Sequence, residues 1–240
     1  ILLCAEAAAR CGAGLVQIAT LKAHVAAALT RLPSALVLAV ERAGDIAKPI
    51  RQADVLVVGP GLGQDIWGRL LLESALASAK PLVLDADALN LLATRPRELA
   101  PDTVLTPHPG EAARLLEITT GAVQADRLGS ARRLVEHFGA VVVLKGAGSI
   151  IAAPGEVPRI IEAGNPGMAV GGMGDLLAGV IAGLRAQGLS AFHAACLGTW
   201  LHGSAGDAAV AEGGEGGLLP DDLLPQLRRL AGQHLRSPRR

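Results

Sequence analysis

Val55-Leu-Val-Val-Gly-Pro-Gly-Leu-Gly63 is an unbroken apolar run that ends in a glycine-rich tip. A strand with one wet face alternates apolar and polar residues, whereas consecutive aliphatic residues suit a strand covered on both sides, as in a parallel sheet between two helical layers. Working outward, similar runs rich in Val and Leu stand at 15–19, 36–40, 82–84, 104–105 and 141–144, with helical patterns between most of them. Helices are expected at 2–11, 22–31, 66–78, 87–93, 110–117, 122–138, 174–187, 190–212 and 220–231. This alternation predicts an α/β fold, a mainly parallel central sheet with helices on both faces. Residues 149–151 and 157–161 read instead as a paired antiparallel hairpin.

The chain has 240 residues, half of them hydrophobic, enough for one large core. A single domain is expected over 1–232, with a tail at 233–240. Lys plus Arg and Asp plus Glu each number 22, so no basic excess argues for nucleic acid or an anionic membrane. Aromatic residues are nearly absent (Trp67, Trp200, Phe138, Phe192), which removes the stacking platforms of single-strand binders. Every strand-like apolar run is far shorter than the ~20 residues of a membrane span. Cys4, Cys11 and Cys196 are odd in number and have no zinc-knuckle or redox spacing, so they read as small buried hydrophobes in a reducing compartment. A cytoplasmic protein is expected. The chain opens at Ile1 inside an Ala-rich helical pattern and reads as a piece of something longer.

In parallel sheets, ligands gather beyond the carboxyl ends of the strands. Here those ends carry Gly59-Pro-Gly-Leu-Gly63, Asp85-Ala-Asp87, Thr106-Pro-His-Pro-Gly-Glu111 and Lys145-Gly-Ala-Gly-Ser149. A further loop, Asn165-Pro-Gly-Met-Ala-Val-Gly-Gly-Met-Gly-Asp175, feeds an apolar helix. Its glycines let backbone N–H groups converge on an anion at the positive end of that helix. Asp175 then stands where it would repel the anion, which fits a proton acceptor or a holder of a reacting hydroxyl; the alternative is a helix cap. Lys145 reads either as a phosphate ligand or as an exposed turn lysine. Asp85 and Asp87 would share a face if the strand ran on, to hold a metal or a sugar hydroxyl, with Asp87 equally a helix cap. Glu111 and His108 read as orienting groups for a ligand or a hydrated Mg²⁺, or as a first-turn acid and a surface imidazole. His202 and Asp207 read as packing support.

Taken in order, these motifs, with Leu84-Asp-Ala-Asp-Ala-Leu-Asn90 and His202-Gly-Ser-Ala-Gly-Asp207, resemble the ADP-dependent NAD(P)H-hydrate dehydratases over nearly the whole chain. The resemblance implies a ribokinase-like fold and a repair reaction in which hydrated, inactive NAD(P)H loses water. The C6 hydroxyl is phosphorylated by ADP (or ATP), with Mg²⁺, and phosphate then leaves. It implies Asp175 as the base, an anion hole from the amides of Gly172, Met173 and Gly174, and nucleotide contacts from Lys145, Gly146, Ala147, Gly148, Ser149 and Gly174. Gly63, His108 and Asp175 would meet the hydrated dinucleotide, and Glu111 would be a metal ligand. Met173 occupies a place where many ribokinase-like enzymes have a hydroxylated residue, so backbone donors must suffice there. The family's first glycine-rich strand is missing ahead of Ile1. A fused or separate epimerase and a homo-oligomer are further expectations. The rivals are a vitamin-precursor kinase and an inactive nucleotide-binding fragment.

Overall fold

A computed structural model describes residues 1–234. Six strands form the main sheet in the order β3(Leu56–Val58), β4(Leu82–Leu84), β5(Val104–Leu105), β6(Val141–Leu144), β7(Ser149–Ala152), β8(Arg159–Ile161). The first four run parallel; the hairpin of β7 and β8 adds antiparallel pairs, Leu144 facing Ile150 and Ile150 facing Ile160. Two strands depart from the single sheet expected. β1(Gln17–Thr20) and β2(Leu36–Ala39) pair in parallel as a sheet of their own, with Ile18 on a small cluster of Ala5, Leu32 and Ala35. Their burial is partial, and Leu15 and Leu36 are exposed, so these runs lack the two-sided cover that the central strands have.

The central strands sort their side chains by parity, as the pleat requires. Val83, Val104, Val141, Val143 and Ile151 face a core built with α9(Met173–Ala186), α10(Ala191–Gly213) and α11(Pro220–His234). Leu82, Leu84, Leu105, Val142, Leu144 and Ile150 face the other core, with α4(Ile66–Leu76), α5(Asp87–Thr94), α6(Pro109–Leu115) and α8(Arg127–Phe138). Helices on both faces therefore follow from strands that are apolar at every position. α1(Leu2–Arg10) lies on α9 at close range: a Cβ on Gly179 would stand 2.1 Å from the Cys4 carbonyl. Cys4 and Cys11 are buried free thiols and Cys196 is half-buried.

The remaining helices are α2(Val25–Arg31), α3(Ala47–Gln52) and α7(Thr120–Ala125). α3 went unanticipated, its pattern interrupted by Pro49. The single helix expected over 122–138 is two helices, because the chain breaks at Asp126, whose side chain caps α8 by accepting from Gly129 N–H at 2.8 Å. α11 runs to His234, into the stretch expected as tail; 235–240 lie outside the described residues.

Gly59 fixes how β3 hands over to its tip. Its φ is +135°, and a Cβ there would meet the Asp85 carbonyl at 1.7 Å, a backbone atom that cannot swing aside. Gly59→Ala is expected to cost about 2–4 kcal/mol in strain and overlap, read by urea unfolding. A loss under about 0.5 kcal/mol would mean that the two tips are not locked together.

Candidate active site

Backbone hydrogen bonds carry the strand order past the ends of the strands. Asp85 N–H donates to Val58 at 3.1 Å, Thr106 N–H to Leu84 at 3.1 Å and Lys145 N–H to Pro107 at 2.9 Å. The tips of β3 to β6 thus lie side by side, and their side chains cross-link them. Lys145 Nζ donates to Asp85 Oδ1 at 2.7 Å and stands 3.7 Å from Glu111 Oε2. Both carboxylates are buried, with Lys145 between them, so this is not the exposed turn lysine of the second reading.

Asp85 and Asp87 part company, contrary to a shared face. β4 stops at Leu84 and Ala86 takes φ +48°, turning the chain between them. Asp85 goes to Lys145, while Asp87 accepts from Gly63 N–H at 2.9 Å and from Gln64 Nε2 at 3.2 Å. Asp87 begins α5 without being its N-cap, which is Ala86. Its carboxylate ties the Gly59–Gly63 tip to the neighbouring strand end.

His108 caps α6. Its Nδ1 accepts from the N–H groups of Gly110 (2.9 Å) and Glu111 (3.3 Å), while Glu111 Oε2 accepts from His108 N–H at 2.8 Å. Two N–H groups pointing at Nδ1 assign the proton of the neutral ring to Nε2, which lies 3.5 Å from Glu111 Oε1. Glu111 therefore joins His108 to Lys145, and the imidazole remains half-exposed.

α9 points its N-terminus at this cluster. Its N-cap is Gly172, which has no side chain, so the first-turn amides keep their donors free of any side-chain cap. A Cβ on Gly174 would lie 3.0 Å from Lys145 Nζ and 3.6 Å from Asp85 Oδ2. The Met173 side chain turns into the core and leaves only backbone at that position. The Asp175 carboxylate is 31% exposed and accepts no hydrogen bond from the described residues. It is not the helix cap of the alternative reading. Burial raises its pKa above the usual carboxylate value, Asp85 adds to the rise and Lys145 opposes it.

The loop ahead of α9 is held from behind. Asp207 accepts from Gly164 N–H at 2.9 Å and from Asn165 Nδ2 at 3.0 Å. Burial pushes the His202 imidazole down to about 4, against a hydrogen bond to the Met173 backbone, so it is neutral at pH 7. Both residues support the loop. On the other flank, Ser149 Oγ donates to the Gly146 carbonyl at 3.1 Å and Arg127 donates into the 144–147 backbone. Arg127 and the Asp85–Lys145 pair had escaped sequence reasoning. Nothing in the sequence sets Arg127 apart from Arg132 and Arg133 on the same helix; the helix break at Asp126, a capping residue, was the available signal.

No helix among the described residues is long and apolar enough to cross a membrane. A mainly parallel sheet whose strand ends face a glycine-capped helix N-terminus and its carboxylate defines a ribokinase-like protein. The chain superposes on a ribokinase-like superfamily protein from Enterococcus faecalis with TM-score 0.87 and 31% identity, over 97% of this chain and 81% of that one. It is similar as well to the ADP/ATP-dependent NAD(P)H-hydrate dehydratase of Bacillus subtilis co-crystallized with ATP/Mg²⁺ (TM-score 0.84, 30% identity, 97% and 83% covered). The family model of the NAD(P)H-hydrate dehydratases matches residues 1–229, and the chain belongs to that family. It is 47% identical over 225 residues to the bifunctional NAD(P)H-hydrate repair enzyme of Escherichia coli, covering 94% of this chain. It spans less than half the length of that relative, 43%.

Proposed function

We propose that the chain dehydrates (6S)-NAD(P)H hydrate to NAD(P)H at the expense of ADP, with ATP as the alternative donor. One observation carries the reading: a half-buried carboxylate, Asp175, free of hydrogen bonds from the described residues, in the first turn of a helix whose N-terminus faces Lys145. A structural cap would be bonded; a base for a phosphate-accepting hydroxyl is left free. Family membership points to the same chemistry.

Asp175 takes the proton of the C6 hydroxyl as its oxygen bonds to the terminal phosphorus of ADP, and AMP leaves. The amides of Gly172, Met173 and Gly174 face the charge on that phosphoryl group, and Lys145 with the 145–149 backbone holds the nucleotide. The C6–O bond then breaks, phosphate departs with the electron pair, and the adjacent carbon loses a proton to restore the ring double bond. Gly63 and His108 meet the dinucleotide on the other side of the centre. A protein-only metal cage does not fit: no group of three or more His, Cys, Asp or Glu among the described residues could hold an ion. Magnesium brought on the phosphates needs only one or two carboxylates; Glu111 is our candidate to hold it, and the ion would neutralise charge on the phosphates. An epimerase acting on the other hydrate form, fused or separate, would complete the repair.

Mixing the protein with hydrated NADH and ADP should restore NADH absorbance. No recovery, together with phosphorylation of a small vitamin-precursor alcohol, would overturn the assignment in favour of a kinase. The acid limb of kcat/KM should lie above the ordinary carboxylate value of 3.8, because the base must be ionised and burial raises its pKa. A limb at or below 3.8 would show that Asp175 is not the group titrating.

A further inference from the structure

Arg127 lies outside every motif so far, yet the 144–147 backbone encloses its guanidinium. Nη1 donates to the Ala147 carbonyl, and Nη2 to those of Leu144 at 3.3 Å and Lys145 at 3.4 Å. The group lies against Gly146, whose φ of +146° favours glycine; a Cβ there would come within 2.8 Å of Nη2 and 3.2 Å of Cζ. Three carbonyls drawn to one cation fix the peptide planes between them. In a trans peptide the N–H points opposite to the C=O. The amides of Gly146 and Gly148, which share planes with the Lys145 and Ala147 carbonyls, therefore face away from Arg127. Neither has a hydrogen-bond acceptor among the described residues. Two outward amides on alternate residues leave a pair of donors open to an anion, and here they follow Lys145 directly.

We propose that Arg127 is a positioning residue for the nucleotide: by holding the carbonyls of the 144–147 turn it presents the opposite, N–H side of that turn to a phosphate. The inference rests on the assignment of residues 145–149 to the nucleotide. Lysine cannot replace it, because one ammonium does not span three carbonyls as a planar fork does. Arg127 also begins α8, whose capping comes from Asp126, so shortening Arg127 leaves the helix cap in place.

The test titrates the whole chain with ADP by calorimetry, comparing wild type, Arg127→Lys and Arg127→Ala. Both variants should bind ADP about tenfold more weakly, the scale of a hydrogen-bonded charge removed. The KM for the hydrate and kcat at saturating ADP should stay close to wild type, and millimolar guanidinium should restore ADP affinity to Arg127→Ala. Unchanged ADP affinity in both variants overturns the proposal. So does an equal loss of ADP and hydrate affinity with a lower melting temperature that guanidinium does not reverse, since that marks a plain staple of the hairpin. A wild type that binds ADP but never forms NADH overturns the dehydratase reading alone, because the Arg127 comparison reads nucleotide affinity directly.

Discussion

Asp175→Asn is expected to bind ADP as tightly as wild type, or more tightly, and to lose turnover by roughly 10²–10⁴-fold. The amide has the shape of the carboxylate but accepts no proton, and the backbone donors of Gly172, Met173 and Gly174 are untouched. Removing a negative charge beside a phosphate relieves repulsion, so affinity does not fall. Burial holds the folded pKa of Asp175 above its unfolded value, so the group favours the fold when protonated, and that contribution is lost as pH rises through the folded pKa. The amide variant should accordingly melt higher than wild type at pH 7 and level with it near pH 3, below the unfolded value of 3.8. Such a gain in stability with a loss of activity is the usual mark of a strained functional group. Calorimetry, single-turnover kinetics and melting curves read the three effects. Retained turnover would mean that another group takes the proton, and weakened ADP binding would make Asp175 a nucleotide contact.

Lys145→Met is the second large effect, and it strikes stability and binding together. Asp85 is 1% exposed and Glu111 5%, and the ammonium lies between them. Methionine fills the stem and leaves two buried carboxylates without their cation, a loss of about 3–5 kcal/mol for a buried pair broken on one side. ADP affinity should fall with it, since the phosphate loses its only candidate ammonium among these tips. Denaturant unfolding and calorimetry check the two arms. A stability change below about 1 kcal/mol would show that the pair is wet and weak in solution.

How much of this was legible follows from what each signal depends on. The central strands were readable because 56–58, 82–84 and 141–144 are apolar at every position, a local property that tertiary packing only confirms. The runs at 15–19 and 36–40 look alike locally, and their separate sheet is set by packing that no single segment records. The glycine-capped start of α9 was legible, since Gly172 to Asp175 is a loop-to-helix signal in itself. The partner of Lys145 was not. Asp85 lies 60 positions earlier, and its pairing depends on β4 ending at Leu84 while Ala86 turns Asp87 away to Gly63. Arg127 was hidden for a related reason, because its reach into the 144–147 turn requires α7 and α8 to break at Asp126.

The central claim is that the hydroxyl oxygen leaves as part of a phosphate rather than as water. The most direct measurement is to label the C6 hydroxyl of hydrated NADH with heavy oxygen, turn it over with ADP, and locate the label by mass spectrometry. Phosphorylation through Asp175 followed by C6–O cleavage predicts one labelled inorganic phosphate, and one AMP, for each NADH formed. Label found in water, or NADH formed without equivalent AMP, would contradict it.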